Sequence, residues 1–252
     1  MGRPHAYFSN NVSGTLSLLD AMLAEGVHRL VFASSCSVYR DSGSRKVCET
    51  EALEPLSPYG ESKLAIERLL PWYERAHGLK WLALRYFNAA GAVSDLGEDP
   101  ATSFRIVPRA IHAALAGGPP VHIYGTHYLT RDGTAVRDYV HVTDIARSNR
   151  LALQYVAAGD PGAVLNIGTG SGTSVQEIID AVGRAGERAV PFIEHSPRPG
   201  DAAAIIADRS RAKELLGWEP TQSEMSHITE TAIASYRSNL KAEEAKLIAP
   251  SS

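Results

Sequence analysis

Apolar positions recur along this chain with two periods that take turns. Val12, Leu16, Leu19, Met22 and Leu23 fall at helical spacing within residues 7–24, and Gly26 is placed to close that helix in a left-handed turn. "RLVFASS" at 29–35 is a short apolar run ending in two hydroxyls, as a buried strand does. A second helix begins at Ser57-Pro58, where serine supplies an N-cap and proline suits the first helical position. Its stripe Leu64, Ile66, Leu69 and Leu70 faces a core. "KWLALRYFN" (80–88) reads as one buried strand, 105–116 as a helix, "VHIYG" (121–125) as a short strand and 126–135 as a polar, turn-rich loop. "VRDYVHVTDIARSNRLALQYV" leads into another helix, "AVLNIG" (163–168) is a third strong strand, and Ser174 with Glu177 makes a capping box for a helix to about 184. A short helix within 207–218 stops at Gly217, and a polar helical tail follows. Trp72, Trp81 and Trp218 fall in helix or strand interiors and are expected to anchor the core. Strands alternating with helices predict an α/β fold: a parallel sheet with helices on its faces.

Composition narrows the function more than the fold. With 44% hydrophobic and 21% charged residues the chain has material for a real core. A formal net charge of -3 without a long basic run argues against nucleic acid as a partner. No apolar stretch approaches the roughly 18 residues that span a bilayer, so no membrane partner is expected. "MGRPHAYFSNN" lacks the charged-then-apolar order of a secretory signal, which points to the cytoplasm. Cys36 and Cys48 are too few for a disulfide framework and read as free thiols. Nine histidines are scattered without paired ligand spacing, so no metal is expected.

Candidate chemistry starts in "SPYGESKLAIERLL" (57–70), which sets Tyr59 and Lys63 one turn apart at a helix start. A phenol is a poor base at neutral pH, but an ammonium held nearby favours the phenolate. If Ser34 or Ser35 at the end of "FASS" reaches the phenol, the trio can take a proton from an alcohol while a cofactor accepts hydride. Ligands of open α/β sheets sit at the carboxyl ends of the strands, where those serines fall. An exposed tyrosine beside a solvated lysine is the bland alternative for a Y-x-x-x-K pair standing alone.

Seven stretches in order remove that isolation. "NNVSGTLSLLDAM" (10–22), "VFASSCSVY" (31–39), "SPYGESK" (57–63), "LRYFNAAGA" (84–92), "DGTAVRDYVHVTDIA" (132–146), "NIGTGSGTSVQEI" (166–178) and "RPGDAAAIIAD" (198–208) resemble the extended short-chain dehydrogenase/reductase superfamily, most closely the UDP-glucose 4-epimerases. The resemblance implies NAD as cofactor and a UDP-sugar as substrate. It makes Tyr59 the acid/base at the 4-hydroxyl, Lys63 the holder of the nicotinamide ribose and Ser35 a hydrogen-bond partner of the reacting oxygen. Hydride would leave C4 for NAD, the flat 4-keto sugar would turn over, and hydride would return to its other face. Asn11, Ser34 and Tyr86 join Tyr59 and Lys63 on the cofactor. Phe87, Asn88, Arg137, Arg198 and Asp201 fall to the substrate, the forks of Arg137 and Arg198 suiting a diphosphate, and Arg105 joins them as a departure, standing where the family usually has an asparagine. Arg198 and Asp201 could instead pair with each other, and Asn11 could be a helix cap. Related dehydratases and decarboxylases carry an acidic residue directly after the strand-end hydroxyl; Cys36 and Ser37 stand there instead, which favours epimerisation.

The same resemblance implies an opening strand and a G-x-x-G-x-x-G turn for the cofactor pyrophosphate, and the sequence holds neither. The expected architecture is therefore a partial doubly wound, Rossmann-like parallel sheet lacking its first strands, plus a smaller α/β substrate lobe. Residues 1–92 are assigned to the remaining NAD-binding part, 93–240 mainly to the UDP-sugar lobe with some segments returning to the sheet, and 241–252 to a polar tail. "VLNIGTGSGTS" mimics a dinucleotide turn but spaces its glycines G-x-G-x-G and reads better as a turn of the smaller lobe. Cys36, with no histidine placed to activate it, reads as packing. Two further readings stay open: a UDP-sugar-binding remnant without catalysis, and a 4-epimerase for a UDP-pentose or UDP-N-acetylhexosamine. The family pattern also suggests a homodimer through helices near 10–25 and 58–77.

Overall fold

The computed structural model describes residues 3–248 except 42, 44, 199 and 200, and only the backbone path for 243–248. Pro199 and Gly200 of the "RPGD" motif thus lie outside the described residues. Helix α1 (Pro4–Tyr7) runs through a π-helical turn (Phe8–Ser13) into α2 (Gly14–Ala24). Then come β1 (Arg29–Ser35), a 3-10 turn (Cys36–Val38), β2 (Lys46–Val47), α3 (Pro58–His77), β3 (Lys80–Tyr86) and β4 (Asn88–Ala90). The order continues α4 (Ile106–Leu115), β5 (Val121–Tyr124), β6 (Val136–His141), α5 (Val142–Ala158), β7 (Ala163–Ile167) and β8 (Gly172–Ser174). It ends α6 (Val175–Gly186), β9 (Phe192–His195), β10 (Ala204–Ala207), α7 (Ser210–Leu216) and α8 (Met225–Ile248).

Strands β1, β3 and β7 form a parallel sheet in that order, with Ser35 beside Tyr86 and Tyr86 beside Ile167. Their carboxyl ends are therefore level. Alternation along β3 sends Trp81 and Ala83 to one face, against Leu19, Ile66 and Leu70 of α2 and α3. Leu82 and Leu84 point the other way, toward Ala152 and Val156 of α5 and Trp218. Burying each such leucine contributes about 2 kcal/mol, and burying both faces produces the doubly wound α/β arrangement. A second sheet runs β2-β10-β6-β4, with β8 antiparallel on β6. Beside it α4, α6 and α8 pack on β5 around Ile111, Ile123, Ile178 and Ile228.

Three local expectations needed correction. "KWLALRYFN" is two strands, because the chain leaves the first sheet at Phe87 and enters the second at Asn88. The helix expected over 7–24 starts at Pro4 and is interrupted by the π turn. Trp72 is no core anchor: its ring is 63% exposed under the Arg75 guanidinium, 5.0 Å away. Two residues past buried Leu70, position 72 lies far around the helix from the buried stripe. Trp81 and Trp218 are buried, with their indole N–H groups donated to Glu74 and to the Asp144 carbonyl. Leu69 is half-buried beside that stripe.

Candidate active site

The level strand ends open into a cleft of about 1230 Å³, floored by residues 86–92 and rimmed by 93–105. Ser34, Ser35, Tyr59, Tyr86, Phe87, Asn88 and Arg105 line it. Ser57 caps α3 by accepting the Gly60 N–H at 3.1 Å, which aims the first turn, and Tyr59 with it, at the cleft. Lys63 lies one turn on, its Nζ 5.8 Å from the Tyr59 ring centroid and 5.1 Å from that of Phe32. That Nζ donates to the Ala33 carbonyl at 2.9 Å, and burial lowers its pKa. The Tyr7 ring meets Tyr59 edge-on at 6.0 Å.

The two serines diverge, as neighbours on a strand must. Ser34 donates to Glu67 at 2.5 Å on the α3 side, and Ser35 donates to Ser37 Oγ at 3.1 Å while accepting the Ser37 N–H. Neither bonds the phenol among the described residues, so the expected contact between serine and tyrosine is not formed; the shared feature is the cleft. Asn11, within the π turn, donates to Ser62 Oγ at 2.9 Å, and Ser62 donates to the Tyr59 carbonyl at 2.7 Å. It braces the turn that carries the phenol. Tyr86 donates to Asn149 at 2.8 Å, and burial raises its pKa. Phe87 is buried, and Asn88 bonds the Tyr139 hydroxyl. Arg105 precedes α4 at the rim and reaches Glu98 at 3.4 Å.

Gly60 is where α3 meets the 3-10 turn. A Cβ there would lie 2.1 Å from the Ser37 carbonyl oxygen, and that backbone cannot swing aside. Gly60→Ala is therefore expected to destabilise the fold by roughly 1–3 kcal/mol, read as a lower urea midpoint at unchanged slope.

Asn11, Lys63, Arg137, Arg198 and Asp201 are outside this lining. Arg137 sits on β6 between Thr173 and Ile205, its Nη1 donating to the Val136 carbonyl at 2.8 Å. The Arg198 guanidinium stacks on Tyr124 at 3.5 Å, and the Asp201 N–H donates to the Arg198 carbonyl at 3.1 Å. The contact described between these two is thus through the main chain. Burial pushes the Cys36 thiol up to about 12, with Arg137 offsetting only part of that, which fits packing rather than nucleophilic work. The glycine stretch after β7 is already filled: Asp138 accepts from the N–H groups of Thr169, Gly170 and Ala207 and from the Thr169 hydroxyl. No N–H of that set is left for a phosphate. Burial raises the Asp138 pKa even against those four donors.

Sequence reasoning passed over Glu67 and Arg85, a buried pair joined at 2.6 Å just behind the cleft. The signal was present: Arg85 interrupts an apolar strand, and Glu67 falls within the buried stripe of α3. Burial opposes the Arg85 charge, but the bonds to Glu67 and Tyr39 outweigh it and raise its pKa.

Fold and cleft together define an enzyme of the short-chain dehydrogenase/reductase class. The chain belongs to the NAD dependent epimerase/dehydratase family, whose model matches residues 1–168. It is 41% identical over 234 residues to the UDP-glucose 4-epimerase of Lacticaseibacillus casei, covering 92% of this chain and 71% of that one. The crystal structure of UDP-glucose 4-epimerase from Brucella ovis in complex with NAD superposes with a TM-score of 0.89 at 40% identity, over 93% of this chain and 73% of that chain. The enzyme from Stenotrophomonas maltophila, with bound NAD and formylated UDP-arabinopyranose, gives 0.89 at 37% identity, over 95% and 72%.

Proposed function

We propose that this chain interconverts UDP-glucose and UDP-galactose by inverting C4, with NAD as cofactor. What carries the reading is the meeting of Ser35, Tyr59 and Asn88 on one cleft at the level ends of a parallel sheet. The residues present fit the nicotinamide side of NAD: a half-buried ammonium beside a phenol, with Ser34 and Tyr86 on the phenol's cleft and Asn11 bracing the turn that carries the phenol. The glycine-rich pyrophosphate turn is not part of the 252-residue sequence. Bound NAD supplies the hydride acceptor and donor for C4. Tyr59 takes the proton from the 4-hydroxyl at its phenolic oxygen and returns it. Lys63 holds the cofactor ribose, and Ser35 steadies the reacting oxygen of the sugar. Phe87 and Asn88 support the sugar from the floor, and Arg105 reaches the phosphates from the rim. Arg137, Arg198 and Asp201 hold the UDP end. Cys36 and Ser37 supply no carboxylate beside Ser35, so neither elimination nor decarboxylation has its extra acid or base.

In this proposal residues 1–92 mainly serve the cofactor and 93–240 mainly the substrate, with β7 returning to the first sheet and β2 and β4 reaching into the second. A homodimer is part of the proposal, since Tyr7, Phe8, Leu18 and Trp72 expose apolar surface on α1, the π turn, α2 and α3. So is a cytoplasmic location, which suits two free cysteines. No described helix is long and apolar enough to cross a membrane. The test is to incubate the purified protein with NAD and UDP-galactose. Formation of UDP-glucose is the expected result, and UDP binding without interconversion overturns the proposal.

A further inference from the structure

Two strand ends meet on Glu67, and a third is tied to them through Tyr39. Its carboxylate accepts the hydroxyl of Ser34, the penultimate residue of β1, at 2.5 Å. Arg85 of β3 grips it with Nε at 3.0 Å on one oxygen and Nη2 at 2.6 Å on the other. The remaining Arg85 nitrogen, Nη1, donates to Tyr39 at 2.6 Å, and Tyr39 donates to Asn166 of β7 at 2.8 Å. All five side chains are buried. One chain of bonds, charged at its centre, thereby ties β1, β3 and β7 to α3.

Filling space does not explain the arrangement. Apolar residues of similar volume commonly do that job at least as well, because a buried pair must offset the desolvation of two ions. What the pair adds is directed geometry: a bidentate fork and a short hydroxyl–carboxylate bond leave little play between partners. That geometry bears on the cleft. Ser34 adjoins Ser35 on β1, and Glu67 follows Tyr59 by two turns on α3, while Ser35 and Tyr59 line the same space. The other polar tie described between β1 and α3 runs from Lys63 to the Ala33 carbonyl, and Lys63 is also needed by the cofactor. Glu67 does not line the cleft, so its carboxylate is free to act on placement alone.

We infer that Glu67 is a positioning residue that holds Ser34 against α3 and so fixes where Ser35 stands relative to Tyr59. The inference rests on the epimerase reading above. Displacements of about 1 Å between reacting groups can lower turnover on the order of a hundredfold, so a loose link shows in kcat before KM.

Ser34→Ala cuts the link and leaves Glu67 paired with Arg85, and because Ser34 also lines the cleft its decisive readout is taken without ligand; Glu67→Gln, outside the cleft, and the double variant complete a cycle. Wild-type interconversion is measured first, and its absence refutes the epimerase reading while leaving this inference open to a second measurement. Amide hydrogen exchange of the ligand-free Ser34→Ala protein should rise selectively at residues 33–37 and 58–63. In turnover, kcat should fall about ten- to a hundredfold with KM for UDP-galactose within about twofold. The double variant should lose no more than the worse single one. Unchanged exchange in Ser34→Ala overturns the inference, as do multiplying losses in the double variant, which would mean that Ser34 and Glu67 act separately.

Discussion

Tyr59→Phe is expected to leave the fold intact and to lower UDP-galactose conversion by about 10²- to 10⁴-fold, the usual worth of a positioned proton carrier. The substitution removes one oxygen and keeps the ring that meets Tyr7 edge-on at 6.0 Å, so α1 and α3 should pack as before. Lys63 keeps its bond to the Ala33 carbonyl, and the brace from Asn11 through Ser62 ends on the Tyr59 main chain, which the change does not touch. KM should accordingly move little while kcat collapses. Steady-state kinetics beside a thermal melt separates this from misfolding. Turnover within threefold of the parent would remove Tyr59 from the proposed proton path.

The second large effect belongs to stability. Asp138 is fully buried on β6 and accepts four hydrogen bonds, three of them from the backbone of the β7–β8 loop and β10. Asp138→Ala orphans three backbone N–H donors at once, while the Thr169 hydroxyl can still donate to the Ser171 carbonyl at 3.0 Å. At 1–3 kcal/mol for each buried donor left unmade, with water reaching some of them, the loss is about 3–6 kcal/mol. For a chain of this size that corresponds to a melting temperature lower by about 10 °C or more. Asp138→Asn should regain only part, since an amide nitrogen would face donors that need an acceptor. Calorimetry of both variants decides the matter. Melting within about 2 °C of the parent in the alanine variant would show that these bonds exchange freely with water.

The long elements were legible because each had two cues that agreed. Helix α3 had an N-cap, an N1 proline and an apolar stripe, and α6 had its capping box; both start where the sequence places them. Strand β1 matches "RLVFASS" residue for residue. The short strands β2, β8, β9 and β10 were not read, because so few residues show a period only where, as in β5, apolar and polar positions alternate, and their order depends on distant partners. The cleft residues came from motif resemblance, whereas the clamp behind them did not. Glu67, Arg85, Tyr39 and Asn166 lie far apart along the chain, and only the folded register of β1, β3 and β7 brings them together. Trp72 failed for the opposite reason: residue type outweighed its angular position on the helix.

The change of sheet at Phe87 has a mechanical corollary. Tyr86 is stitched to one sheet and Asn88 to the other, with buried Phe87 bonded by its N–H to the Ile167 carbonyl between them. The bottom of the binding space is a seam shared by both halves, so a shift of one sheet against the other would reshape the floor itself. Above that floor the rim 93–105 turns Leu96 and Phe104 out to the solvent.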